Sequence, residues 1–276
     1  MTTLTTTDRP APAGQVTLPL PSGTFALGAL IRRDLTADVR EYPTFVLQVL
    51  VQPMLMLFVF GRILPALGVT RPGYGTLLLP GIIATTVFVT TLQSTALPLV
   101  VDFSYSKEIE DRLLSPISVR LLAVEKLAYA ALRGLVAGAI MAPLGLALVP
   151  GTALAEHGWP AAIGIAVIGS IGAAGLGMVL GTALQVQRIN LIFTAVLTPL
   201  LFTGCAQYPW PSLAVLRWFQ IVTLANPLTY LSEGMRGTLA PAIPHLAMPV
   251  AISVLSVLAV SLCVLGVRGF VRRAVD

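Results

Sequence analysis

Charge is what this sequence has least of. Asp, Glu, Lys and Arg make up 11% of its 276 residues, while 56% are apolar and the mean hydropathy is +0.87. Soluble domains carry about 25% charged residues, and a water-facing surface on a chain of this size cannot be built without them. Lysine is scarcer still, with only Lys107 and Lys126 present. Neither lies in the Gly-x-x-x-x-Gly-Lys-Ser/Thr arrangement that cradles phosphates, so the sequence holds no P-loop for ATP. Two histidines, His157 and His245, with no cluster of cysteines or carboxylates beside them, make a metal site improbable. The two cysteines, Cys205 and Cys263, fall in or beside apolar runs and read as packing residues, not as a disulfide. The middles of the long apolar runs hold no acid or base, which argues against a proton relay. These absences exclude a soluble enzyme, a DNA-binding domain and a disordered chain. An integral membrane protein remains.

What is there is organised by the gaps between charges. An ion at the centre of a bilayer costs at least about 2.5–3.5 kcal/mol, so charge-free windows mark the crossings. Six stand out: 42–61, 72–101, 134–155, 158–187, 189–216 and 237–267, the last holding His245. A crossing takes about 20 residues, so each window fits one helix and a short connector. The expected fold is an all-α membrane protein with six transmembrane helices across 43–268. An even number of crossings puts both termini on one side. With that side cytoplasmic, the inner segments hold 13 of the 17 Lys and Arg, as the positive-inside rule requires. The net charge of +5 and pI of 9.6 follow from this asymmetry. The basic residues are spread over membrane borders and form no stripe, so no nucleic-acid partner is expected. Residues 1–23, rich in Thr and Pro, read as a disordered cytoplasmic tail and not a signal peptide; 269–276 read as a second tail.

Three segments are not spans. Within 24–42, Leu27, Ile31, Leu35 and Val39 repeat every four residues, with Arg32, Arg33, Asp34, Asp38 and Arg40 around them. This pattern suits an amphipathic helix lying in the headgroup layer. The loop 102–120 is the densest polar region. Lys107, Glu108, Ile109, Glu110, Asp111, Arg112, Leu113 and Leu114 can make two helical turns before Pro116, which disfavours helix at Ser115. Charges of both signs among apolar residues suit either a solvated loop or docking into a groove on another protein. The segment 208–237 contains a 15-residue uncharged stretch, 218–232, interrupted by Pro227. It is short for a crossing and reads as re-entrant or interfacial. Tyr208, Trp210, Trp218 and Tyr230 belong at headgroup level. Glu233 and Arg236, three residues apart, are expected to pair and tie this segment down.

Inside the windows the remaining polarity is uncharged. Gln48 and Gln52 share a face of the first span, and Thr86, Thr90 and Ser94 share a face of the second with Gln93 beside them. Two readings stand: hydroxyls and amides that bond backbone or glue helices, or a weakly polar pathway for an amphipathic solute. Small residues form two stripes, Ala130, Gly134, Gly138 and Ala142 in the third span and Gly169, Ala173, Gly177 and Gly181 in the fourth. Stripes of this kind permit close backbone approach, and these two helices are expected to pack on each other.

Two passages carry a resemblance. Glu110-Asp-Arg-Leu-Leu-Ser-Pro-Ile-Ser is similar to a Glu-Arg-Leu-x-x-x-Pro-hydrophobic-Ser pattern. Phe202-Thr-Gly through Pro209 is followed by Ala225-Asn-Pro-Leu-Thr-Tyr and Met235-Arg-Gly. With the interfacial helix and six spans, this order resembles the ABC type 2 exporter permeases, and within them the daunorubicin-resistance-type drug exporter permeases of actinobacteria. The resemblance runs from about Phe25 to Arg273. The family's Gly-Lys after the Pro-Ile-Ser stretch appears here as Glu125-Lys126.

The resemblance implies a permease of a bacterial cell membrane, with no catalytic residue and no cofactor of its own. ATP and magnesium would bind a partner ATPase subunit. That partner would be contacted by the interfacial helix with Arg32, Arg33 and Arg40, and by Lys107, Glu108, Ile109, Glu110, Asp111, Arg112, Leu113, Leu114 and Pro116 as a coupling helix. A second permease chain, in a homodimer or heterodimer, would complete the path. Spans one, two and five would line it through Gln48, Gln52, Phe58, Thr86, Thr90, Gln93, Ser94, Phe193, Thr194 and Thr198. The re-entrant segment would form an outer gate with Tyr208, Trp210, Trp218, Asn226, Pro227, Tyr230, Glu233 and Arg236. The cargo would be a hydrophobic or amphipathic drug or lipid leaving the cytoplasm or inner leaflet. Lipid-linked glycan exporters share this topology. A stand-alone secondary transporter, or an intramembrane enzyme using Ser232 beside Glu233, are the other classes the residues allow.

Overall fold

A computed structural model describes residues 49–70, 73–103, 119–184 and 189–275, with only the backbone of 189–193 and 275. The tail 1–23, the helix expected over 24–42 with its arginines, Gln48 and the coupling residues 107–116 lie outside the described residues. All regular structure within them is helical. Among the described residues, five helices are long and apolar enough to cross a bilayer: α1 (Val49–Ala66), α2 (Tyr74–Val101), α3 (Val119–Leu148), α4 (Trp159–Ala183) and α8 (Met248–Val275). Between α4 and α8 lie α5 (Ile189–Thr203), the 3₁₀ turn Trp210–Leu216, α6 (Arg217–Thr223) and α7 (Pro227–Leu239).

The windows and helices differ at three places. The helix α3 starts at Val119, fifteen residues ahead of its window, and carries Arg120, Glu125, Lys126 and Arg133 in its first half. At 30 residues it is roughly 45 Å long, so its charged turns extend past a hydrocarbon core of about 30 Å. The fifth window is helical for 15 residues, ending at Thr203. The chain breaks there because Cys205 adopts φ 52°, a left-handed backbone that ends a helix. The sixth window begins on the last turn of α7, and its long helix, α8, starts only at Met248 after the break at 240–247.

At the centre stands α2. Of its most apolar stretch 78% is buried, against 17% in α1 and 22% in α8. Both small-residue stripes turn toward it. A Cβ on Gly134 would lie 2.7 Å from the Val87 carbonyl oxygen, and one on Gly138 would lie 2.4 Å from a Val87 methyl. On the other side, a Cβ on Gly177 would lie 2.6 Å from the Leu92 carbonyl oxygen and one on Gly181 would lie 2.9 Å from Leu99 Cβ. The two helices do touch each other, as expected, but four of the stripe glycines, Gly134, Gly138, Gly177 and Gly181, find their close partner in α2. They hold α2 between them, with Gly169 higher on α4 receiving Leu231 of α7 instead. Spacing on each helix revealed the need for close approach, but a stripe does not name its partner. The outer wall is α8, packed along α4, where Gly172 and Gly175 meet Ala259 and Cys263.

The first helix is wound more widely over Val59–Ile63, a π turn just ahead of Pro65. Proline offers no amide hydrogen to the Gly61 carbonyl, and the wider turn makes room for its ring. At the far end of α2, Asp102 receives Lys126 of α3 at 3.6 Å. This bridge fixes the point where the chain leaves for 104–118.

Adding one methyl group should therefore cost unequally. The Cβ of Gly81→Ala would sit 2.0 Å from the Ala206 carbonyl oxygen, that of Gly177→Ala would meet the Leu92 carbonyl, and that of Gly138→Ala would meet only a side-chain methyl. Thermal unfolding in detergent should rank the losses in that order, with Gly177→Ala costing about 1–3 kcal/mol.

Candidate functional site

Beside α2, on the face its glycine clamps leave free, runs a groove of about 330 Å³. Gln52, Pro53 and Met56 of α1 form one wall, and Ile82, Thr85, Thr86, Val89, Thr90 and Gln93 of α2 form the floor. Leu201 and Phe202 of α5 close it with Ala206 and Gln207. Among the described residues the lining has six side chains able to hydrogen-bond and no charge. Thr85 and Thr86 donate their hydroxyls to the carbonyls of Gly81 and Ile82 at 2.9 and 2.8 Å. Thr90 Oγ1 has no hydrogen-bond partner among the described residues. At one end, Gln207 Nε2 reaches Met56 Sδ at 3.5 Å, while its backbone carbonyl accepts from the Tyr74 hydroxyl at 2.7 Å.

Four path residues named from the sequence, Gln52, Thr86, Thr90 and Gln93, thus come together in this groove. Ser94 is half-buried on α2 outside the lining, Phe58 is 40% exposed on α1, and Thr194 and Thr198 are exposed on α5. The Phe193 side chain lies outside the described residues. Sequence reading missed Thr85, Gln207 and the α5 end at Leu201–Phe202. Gln207 carried a usable signal, an uncharged amide directly after the Gly204-Cys205 break.

Above the groove the chain is tied by a buried ion pair. Glu233 and Arg236 of α7 are both fully buried and bonded to each other, as their spacing predicted. Each is saturated by backbone. Glu233 accepts from the amides of Trp210 at 3.0 Å and Leu246 at 2.7 Å. Arg236 donates to the carbonyls of Cys205 at 2.9 Å, Ala206 at 3.1 Å and Leu77 at 3.3 Å. Five backbone groups from four segments therefore converge on one pair. The Arg236 bonds hold the strained Cys205 turn, and through Ala206 they hold a wall of the groove.

The Asn-Pro-Leu-Thr-Tyr passage builds a second knot. Asn226 caps α7 by accepting from Leu228 N at 2.9 Å, with Pro227 in the first turn where its missing amide is harmless. Its Nδ2 donates to Leu200 O at 2.7 Å and Thr203 Oγ1 at 2.9 Å, anchoring α7 to the end of α5. Thr229 and Tyr230 donate back to Thr223 and Leu224, both at 2.7 Å. Trp210 and Gln220 exchange two hydrogen bonds of 3.2 Å. The Tyr208 hydroxyl donates to Phe202 O. Trp218 alone of the named aromatics projects outward, 67% exposed.

Ser232, the candidate nucleophile beside Glu233, is fully buried in α7.

Breaking the pair should be costly. Arg236→Met leaves Glu233 buried without its counter-charge, a loss of about 3–5 kcal/mol. The double variant Glu233→Leu/Arg236→Met should not recover it, because five backbone groups stay unsatisfied. Recovery of wild-type unfolding temperature in detergent by the double variant would show that the backbone bonds contribute little.

Among the described residues, five apolar helices, one of them buried at the centre, with broken helices tied back by hydrogen bonds, describe a multi-pass membrane protein. No curated protein matches the chain. A family model for the ABC-2 type transporter matches residues 26–240, and the chain belongs to that family.

Proposed function

We propose that this chain is the permease subunit of an ATP-driven exporter that moves hydrophobic or amphipathic drugs or lipids out of the cytoplasm or inner leaflet of a bacterial cell membrane. The observation that supports it is the uncharged groove. Amides of Gln52, Gln93 and Gln207 and the Thr90 hydroxyl stand among apolar walls, a lining suited to solutes with an apolar body and a few hydrogen-bonding groups. Ion-coupled carriers place titratable side chains on their pathway, and this lining has none.

Energy then comes from a separate ATPase subunit that binds ATP and magnesium. In this reading α5 and the residues before it form a sixth crossing, both termini are cytoplasmic, and 208–237 forms an outer re-entrant gate. The groove opens sideways on a single chain, and a second permease chain, identical or a sister, encloses it. Residues 107–116 act as the coupling helix and the arginines of 24–42 lie beside the same partner. Closure of the ATPase subunits levers the coupling helix and shifts the path between inward- and outward-open forms. A solute is moved only if it binds these two forms differently.

The test is proteoliposomes holding the chain with its ATPase and a neutral lipophilic dye. Dye transfer should require ATP, and Gln52→Leu/Gln93→Leu should slow it at least about fivefold while ATP hydrolysis persists. Glu110→Lys/Asp111→Lys should insert normally yet lose the association with the ATPase. Ion-driven dye movement by the chain alone would instead establish a secondary transporter.

A further inference from the structure

A second groove, of about 610 Å³, lies between the first turns of α3 and the last turns of α8. On α3 its wall is Arg120, Val124 and Leu127, spaced i, i+4, i+7 along one helix face. On α8 the wall is Val264, Val267 and Val271 with Arg268 and Arg272, again one face. The two helices run in opposite directions here, so both walls grade the same way. Arginines gather at the outer end and aliphatic side chains fill the depth, over roughly 10 Å from Arg120 to Leu127. No acid lines it. Arg120 and Arg268 are exposed and form no ion pair among the described residues. Arg273, next in sequence, is used differently: it donates to the Thr182 and Leu184 carbonyls and lies 4.8 Å over the Phe103 ring.

We propose that this groove is a binding site for one anionic phospholipid. Its phosphate is held by Arg120 and Arg268, and an acyl chain lies along Val124, Leu127, Val264 and Val267. Charge complementarity selects the occupant. Guanidinium forks match phosphate oxygens bidentately, and a basic pocket between membrane helices at the headgroup border faces an anionic leaflet. The aliphatic depth separates a lipid from free phosphate, which would have no use for it. This site depends only on membrane insertion of α3 and α8 and stands apart from the transport reading.

Native mass spectrometry of the purified full-length chain in neutral detergent tests it, with phosphatidylglycerol, phosphatidylcholine and inorganic phosphate as probes. Phosphatidylglycerol should bind about tenfold more tightly than phosphatidylcholine, and millimolar phosphate should not displace it. Arg120→Gln/Arg268→Gln should remove most of that preference. Val124→Trp, which keeps every arginine, should weaken phosphatidylglycerol binding by blocking the depth, and it decides the matter if the arginine variant fails to fold. Equal affinity for the two lipids, or full retention of phosphatidylglycerol by either variant, would overturn the site. So would complete displacement by phosphate. Binding that emerges only in Glu110→Gln/Asp111→Gln would mean that the chain's own acidic loop fills the groove, which also overturns it.

Discussion

The Glu233–Arg236 pair is the constraint from which the rest of this architecture follows. Backbone that leaves a helix within an apolar bundle must find partners in protein, since lipid supplies none. Here the helices are interrupted at 204–209, 224–226 and 240–247. The freed carbonyls of Cys205 and Ala206 go to Arg236, and the freed amides of Trp210 and Leu246 go to Glu233. A buried ion pair alone adds little stability against an apolar substitute. Its value here is geometric: one guanidinium and one carboxylate fix four separate segments.

That fixation reaches the groove through a single contact. Gly81 of α2 lies against the Ala206 backbone so closely that no side chain fits between them, and Ala206 is at once a groove wall and an Arg236 partner. Glycine clamps on α3 and α4 hold α2 from two further sides. The remaining face, with Thr86, Thr90 and Gln93, is the one that glycine packing does not close. The hydroxyls on it have unequal roles. Thr86 is bonded within its own helix, whereas Thr90 has no such bond among the described residues.

Most of this was legible in the pattern of residues, and the failures have physical causes. Crossings are set by the cost of buried charge, so windows without charge found α2, α4 and much of α1, α3 and α8. Starting points were missed where charged turns continue a helix beyond the hydrocarbon. In α3 the helical hydrogen bonds run on through Arg120 and Lys126, because Arg120 is exposed to water or headgroups and Lys126 is paired with Asp102. The Glu233–Arg236 pairing followed from spacing within one helix, while its five backbone partners, distant in sequence, left no periodic trace. The small-residue stripes show the same limit. Local spacing told which face needs close approach, and only three-dimensional topology told that α2 occupies it.

The two grooves divide polarity by kind, which makes physical sense of the scarcity of charge. The groove beside α2 presents amides and hydroxyls, whose burial costs far less than that of ions. The groove between α3 and α8 keeps guanidinium charge, but only at its outer end, where headgroups and water offset the desolvation. Exchanging the two would cost energy: arginines beside Thr90 would bury charge among apolar walls without a counter-ion, whereas at 120 and 268 they stay exposed. Position along the membrane normal therefore decides which polar chemistry each groove can sustain.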